Sequence, residues 1–284
     1  YLKQGPFAKM CCTCTIPLYT YLHNDRDTLL RLIKQCASSC LFAILQCGSV
    51  PALAETLNVA VASNFVAAMQ RIEEAFEGNS EHEVRLIRGS SGKHYAQIRN
   101  GAPFDIFLSA DQLRPRRLVE EGIAKESDLT TYAQGQLALW SRQNDVQLGR
   151  EYLLNTSNYG VIAIANPRLA PYGQAATEVF SHLGLESQLS QRLVMGENIA
   201  QAFQFAFSGN ADIGLIAYSQ AISPNMRGMG SVWLVPSELH LPIKQDMVIL
   251  SDSSAALEFA AFMKSDTVRD ILLTSGYLLP DGAP

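Results

Sequence analysis

The sequence predicts an α/β fold of two lobes, each a mostly parallel sheet flanked by helices, with a ligand held in the cleft between them. Short apolar runs alternate with segments whose apolar residues recur every three or four positions, the rhythm of β-α-β units. That rhythm lapses around Ala138-Leu139-Trp140 and then restarts, which divides the chain in two. At four places an apolar run ends in a polar or glycine-marked turn that opens a helix: Ser63-Asn64, Gly89-Ser90-Ser91-Gly92, Ala170-Pro171-Tyr172-Gly173 and Glu197-Asn198-Ile199.

Taken in order, Leu57 to Ala62 reads as a buried strand, and Phe65, Met69, Ile72 and Phe76 mark one face of a helix ending near Gly78. Val84 to Ile87 is a second strand, followed by the Gly89 to Gly92 turn and a short helix through Tyr95 and Ile98. Asp105 to Ser109 is a third. In the second half Val161 to Ala165 is a strand and Asn166-Pro167 a breaker. Ala176, Val179, Phe180 and Leu183 mark a helix, as do Ile199, Phe203, Ala206 and Phe207, and Ile213 to Ala217 is a buried strand. Met247 to Leu250 then forms a strand, and Ala255 to Phe262 and Val268 to Leu273 form helices that return to the first lobe.

The chain has 284 residues, 48% of them hydrophobic and 17% charged, which suits a globular protein with one large or two modest domains. A net charge of −5 with scattered Lys and Arg offers no basic stripe, so a nucleic-acid partner is not expected. All six cysteines lie in the first 47 residues. Arg31 and Lys34, the apolar run from Cys36 to Val50 and Ala52-Leu53-Ala54 together form an export pattern with cleavage after Ala54. A lipid anchor through Cys47 is the alternative, although Gln46 departs from the small residue expected there. Residues 1–54 are thus expected to be an N-terminal extension and signal peptide, 55–138 with 240–284 the first lobe, and 139–239 the second. Without residues 1–54 the chain has 17 basic and 25 acidic residues, a net charge of −8.

Helix N-termini present unpaired N–H groups and the positive end of a dipole, so several converging on one point can hold an anion without a cationic side chain. In open α/β sheets such turns lie at the carboxyl ends of strands. Two of the four junctions fall in each half, which places the anion between lobes. Serines at such positions also serve as helix caps, Asn64 can cap the first helix, and Tyr172 can be a surface aromatic. Arg88 and Lys93 read as solvated side chains at a cleft rim, and Asp105 and Asp111 as residues that fix loops.

Several segments in order resemble the periplasmic molybdate-binding proteins of ABC-type transporters. They are Val59-Ala60-Val61-Ala62-Ser63-Asn64, Gly89 to Gly92, Gly101 to Asp111, Ala163 to Pro167, Pro171-Tyr172-Gly173, Glu197-Asn198-Ile199, Ile213 to Gln220 and Ser275-Gly276-Tyr277. The resemblance spans Leu57 to Pro280 and implies a type II periplasmic binding protein fold. It implies a molybdate or tungstate ligand held by the Ser63 hydroxyl and backbone, Asn64, the Ser91 hydroxyl and backbone, and the N–H groups of Tyr172 and Ile199. Those contacts run to oxyanion oxygens and not to the metal. It further implies a membrane permease as partner, a periplasmic location, a monomer, and no catalysis or cofactor. Many relatives place a ligand-binding tyrosine where this chain has Ala217; here tyrosine stands at Tyr172.

The donor set fits a fully deprotonated tetrahedral anion, since every implied contact can donate a hydrogen bond. Phosphate, partly protonated near neutrality, would favour a carboxylate acceptor, which this set lacks. Sulfate has the same charge and shape and is the alternative ligand. From other classes, a serine hydrolase would need a base such as His94, His182 or His240 beside Ser91, without an accompanying Gly-x-Ser-x-Gly elbow. A transcriptional sensor would need an N-terminal helix-turn-helix, for which the first 54 residues give no sign.

Overall fold

A computed structural model of the chain describes residues 54–280. The export pattern and Cys47 lie outside the described residues. Within these, ten strands form two five-stranded sheets. In chain order they are β1 (Thr56–Ala62), β2 (Glu83–Gly89), β3 (Ile106–Leu108), β4 (Leu129–Gly135), β5 (Leu137–Ser141), β6 (Ile162–Ala165), β7 (Leu193–Gly196), β8 (Ile213–Ala217), β9 (Ser231–Leu234) and β10 (Ile243–Ile249). Helices of eight residues or more are α1 (Val66–Glu77), α2 (Ser91–Arg99), α3 (Leu113–Glu120), α4 (Pro171–Leu183), α5 (Ile199–Ser208), α6 (Ser254–Phe262) and α7 (Asp266–Thr274).

The first sheet runs β2-β1-β3-β10-β4 and the second β7-β6-β8-β5-β9. Each has a parallel core of three strands, extended by two strands that pair antiparallel, β10 with β4 and β5 with β9. Gln136 alone separates β4 from β5, so the chain passes between sheets there and returns through residues 235–242. The last helix ends beside that passage, where Gln134 and Leu278 exchange backbone hydrogen bonds of 2.8 and 2.9 Å.

Strand β1 is apolar along most of its length because both its faces are covered. Leu57, Val59 and Val61 pack under α1 with Phe65, Met69 and Ile72, whereas Ala60 faces Phe107, Ile98 and Leu118 on the other side. The second sheet is sandwiched likewise: Ile162 and Ile164 meet Val179 and Phe180 of α4, while Ala163 and Trp140 meet Ala206 of α5. The α4 side of this core extends to Ala62, Ala110 and Ile243 of the first lobe, so the lobes share apolar contact. Gly173 lets α4 start against the end of β6, since a methyl there would overlap the Ala165 carbonyl.

Candidate functional site: helix N-termini facing across two lobes

Each of the five expected site residues stands just past a strand. Ser63 follows β1 and is half-buried; its N–H donates to Gly89 O at 2.9 Å, which continues the β1–β2 pairing. That backbone donor is therefore engaged within the protein, while the Ser63 hydroxyl has no partner among the described residues. Asn64 does not cap α1, whose N-cap is Phe65 and carries no side-chain cap bond. Its amide instead donates to Gln245 Oε1 at 3.0 Å and Tyr277 Oη at 3.3 Å.

Ser91 opens α2, and the cap is its neighbour: Ser90 Oγ accepts from the Lys93 N–H. Ser91 Oγ accepts from the Ala110 N–H at 2.9 Å. With a lone pair engaged in that way, the hydroxyl keeps its hydrogen for another acceptor. Tyr172 is the second residue of α4, after Pro171 in a first-turn position where a missing N–H is harmless. Ile199 opens α5, and Asn198 Oδ1 caps the N–H groups of Ala200 and Gln201 at 3.0 and 3.1 Å, bypassing that of Ile199.

Among the described residues, the N–H groups of Asn64, Ser91, Tyr172 and Ile199 have no protein acceptor. All four residues are nonetheless buried, at 3%, 1%, 1% and 2% exposure. The first N–H groups of a helix have no intrahelical acceptor, so these four junctions leave backbone donors open to acceptor atoms from outside the helix.

Direct bonds join the two sets of junctions. Gly92 N–H donates to Leu169 O at 2.9 Å, and Ser219 Oγ donates to Asn64 O at 3.3 Å. Tyr172 reaches from α4 to the first sheet, where its hydroxyl accepts from Gln245 Nε2 at 3.4 Å. Gln245 is fully buried and accepts from Asn64 and, at 2.9 Å, from the Tyr132 hydroxyl. The β4–β10 register skips Tyr132 beside Gln245, a bulge that aims both side chains into this network.

Burial holds the Tyr172, Tyr132 and Tyr277 hydroxyls well above their usual range. They therefore remain neutral donors at any ordinary pH. Arg88 and Lys93 are exposed, and the two aspartates fix loops: Asp105 Oδ2 accepts from Asn58 N at 2.8 Å, and Asp111 Oδ1 from Arg114 N at 2.9 Å. Ala217 is buried in the same cluster as Tyr172 and Ile199, while Tyr218 turns to the inter-sheet passage, its N–H on Gln136 O at 2.8 Å. His94 bonds Val61 O and Gln97 rather than Ser91, and His182 bonds Glu178 O, so Ser91 has no paired base. No group of three His, Cys, Asp or Glu residues among those described is arranged to hold a metal ion.

Gln245, Tyr132 and Arg114 belong to this region and escape sequence reasoning, whereas Ser219 falls in the Ile213 to Gln220 segment that carries family resemblance. Tyr277 falls in the Ser275-Gly276-Tyr277 segment that carries family resemblance.

Two α/β lobes with unpaired helix-terminal donors between them define a solute receptor. The chain belongs to the bacterial extracellular solute-binding protein family, which it matches over residues 57–278. It is 40% identical over 245 residues to the molybdate-binding protein ModA of Rhodobacter capsulatus, covering 85% of this chain and 96% of that one. Identity to the ModA of Azotobacter vinelandii is also 40%, over 80% of this chain and 91% of the relative. The solved periplasmic molybdate-binding protein of Azotobacter vinelandii superposes with a TM-score of 0.76 at 36% identity, covering 79% of this chain and all of that one. A sulfate-binding protein of Mycobacterium tuberculosis, 16% identical with a TM-score of 0.68, shares the fold.

Proposed function

We propose that this protein captures molybdate, or tungstate, outside the cytoplasm and delivers it to an ABC permease. The observation that carries this reading is the set of four N–H groups without a protein acceptor, on the buried residues Asn64, Ser91, Tyr172 and Ile199, joined by the Ser63 and Ser91 hydroxyls. Every one is a donor, which suits an anion with no proton to give. The names of relatives sharing 40% identity support molybdate in particular.

In the mechanism, the anion docks on the Ser63, Asn64 and Ser91 side. Closure then brings the Tyr172 and Ile199 N–H groups onto its remaining oxygens. The closed form is what a permease would recognise. Export with cleavage after Ala54, leaving a free monomer, completes the proposal; mass spectrometry of the mature protein distinguishes a Glu55 N-terminus from a lipidated Cys47.

Thermal unfolding in the presence of molybdate, tungstate, sulfate and phosphate tests the ligand. Binding to the folded state alone stabilises it by about 2.7 kcal/mol at a hundredfold excess over Kd. Molybdate and tungstate should raise the melting temperature more than sulfate, and phosphate least. No shift with the first two defeats the assignment, and a larger shift with sulfate replaces it with the sulfate reading.

A further inference from the structure

Arg114 lies at the cleft rim in the first lobe, near the start of α3, with its side chain 15% exposed. Its guanidinium is held by Asp111, whose Oδ1 also accepts from the Ser109 hydroxyl at 3.2 Å. From this mount Nη2 donates to Arg168 O of the second lobe at 3.0 Å. The next carbonyl, Leu169 O, accepts from Gly92 N–H at 2.9 Å. Two consecutive carbonyls of one lobe thus meet two donors of the other. A methyl on Gly92 would lie 3.0 Å from Leu169 Cα and 3.2 Å from Arg114 Nη2, so all three groups converge on one point.

The location gives this contact its meaning. Residues 166–170 form a tight turn, braced by Leu169 and Ala170 N–H bonds of 3.0 and 2.9 Å to Asn166 O, and it leads directly to Tyr172. Gly92 is the residue after Ser91. The contact therefore joins the helix start that presents Ser91 to the turn that presents Tyr172, without occupying either of their N–H groups.

We infer that Arg114 is a latch, a positioning residue that holds the two lobes closed around the anion and never touches it. This inference rests on the proposed receptor function for its ligand, though not for its geometry. Asp111 fixes the guanidinium, and a fork with several donors is needed to serve that carboxylate and a carbonyl together. Lysine, with a single ammonium on a flexible stem, is a poor replacement.

The test compares wild type with Arg114→Ala and Arg114→Lys, using molybdate as probe. Stopped-flow fluorescence should show dissociation accelerated about tenfold or more in Arg114→Ala and nearly as much in Arg114→Lys. Association should change by less than about threefold, because encounter precedes closure. The preference for molybdate over sulfate should be unchanged, since the latch touches no ligand oxygen. Amide exchange at Gly92, followed by NMR with and without molybdate, should be faster in both variants. Equal Gly92 exchange in wild type and Arg114→Ala under both conditions overturns the latch, as does an unchanged dissociation rate. A wild-type protein that ignores molybdate while Gly92 exchange still responds to Arg114→Ala overturns the ligand reading and leaves the latch supported.

Discussion

Asn64 and Gln245, 181 positions apart in the chain, meet at 3.0 Å in a site that buries both. The bond ties the turn after β1 to the strand β10 that returns from the second lobe. Tyr132 donates to the same Gln245 oxygen, so that one acceptor satisfies two buried donors. Gln245→Leu keeps the approximate volume and removes both roles. Because Asn64 retains Tyr277 and Tyr132 retains Ser109 O as partners, the expected loss is about 1–3 kcal/mol rather than more. Urea unfolding should record that loss, and calorimetry should record weaker molybdate binding because Asn64 is no longer held in place.

Gly135, the last residue of β4, lies where the Tyr172 hydroxyl ends. A methyl there would overlap that hydroxyl and lie 2.5 Å from Gln245 Nε2. Gly135→Ala should therefore oppose closure and lower anion affinity. Tyr172→Phe removes the overlapping oxygen but loses its bond to Gln245. Combined, the two changes should be less damaging than the sum of each alone, with a coupling of about 0.5–3 kcal/mol in a double-mutant cycle. Strict additivity would show that Tyr172 does not dock at Gly135 in the ligand-bound protein.

These two relationships mark the limit of what the sequence discloses. Strands such as Ile213–Ala217 and helices such as Ile199–Ser208 are legible because burial on one or both faces imposes local periodicity. The strand Leu129–Gly135 is not, since Thr130, Thr131 and Gln134 interrupt its apolar pattern where the strand lies at a sheet edge. Direction is hidden too: β5 and β10 run antiparallel because of the single-residue passage at Gln136 and the return through 235–242, which no local pattern encodes. At the candidate site the junctions are readable, but capping is ambiguous by one residue, and Ser90 rather than Ser91 takes it. Gln245 carries no local signature because its partners lie across the fold, and nothing local announces the bond from Arg114 to Arg168 O.

That one-residue distinction can be measured. Ser90→Ala removes a cap from α2 and should lower stability by about 1 kcal/mol, with little change in the anion contacts themselves. Ser91→Ala removes the hydroxyl proposed to contact the ligand and should weaken molybdate binding by about 1–3 kcal/mol. It also deprives the buried Ala110 N–H of its acceptor, so stability should fall as well. Calorimetry paired with thermal unfolding separates the two. Equal affinities for the two variants would remove Ser91 from the ligand's surroundings.

His94 supplies a pH dependence independent of the anion. Its ring is 1% exposed, with Nε2 3.2 Å from Val61 O, Nδ1 3.2 Å from Gln97 Oε1, and Phe104 and Phe107 against its faces and edges. Burial lowers its pKa; the bonds to Gln97 and Val61 oppose that shift, and nearby Lys93 adds to it. In the unfolded chain an ordinary histidine titrates near about 6.5. The folded protein thus takes up this proton only at lower pH, and below about 6.5 the unfolded state binds more protons. Stability from the neutral ring is complete above that value and declines as pH falls through it toward the folded pKa. Gln at this position keeps a donor for Val61 O without a titrating group. Urea unfolding at pH 7.5 and at pH 5 should show a greater loss for wild type than for His94→Gln, and parallel losses would place the acid sensitivity on another group.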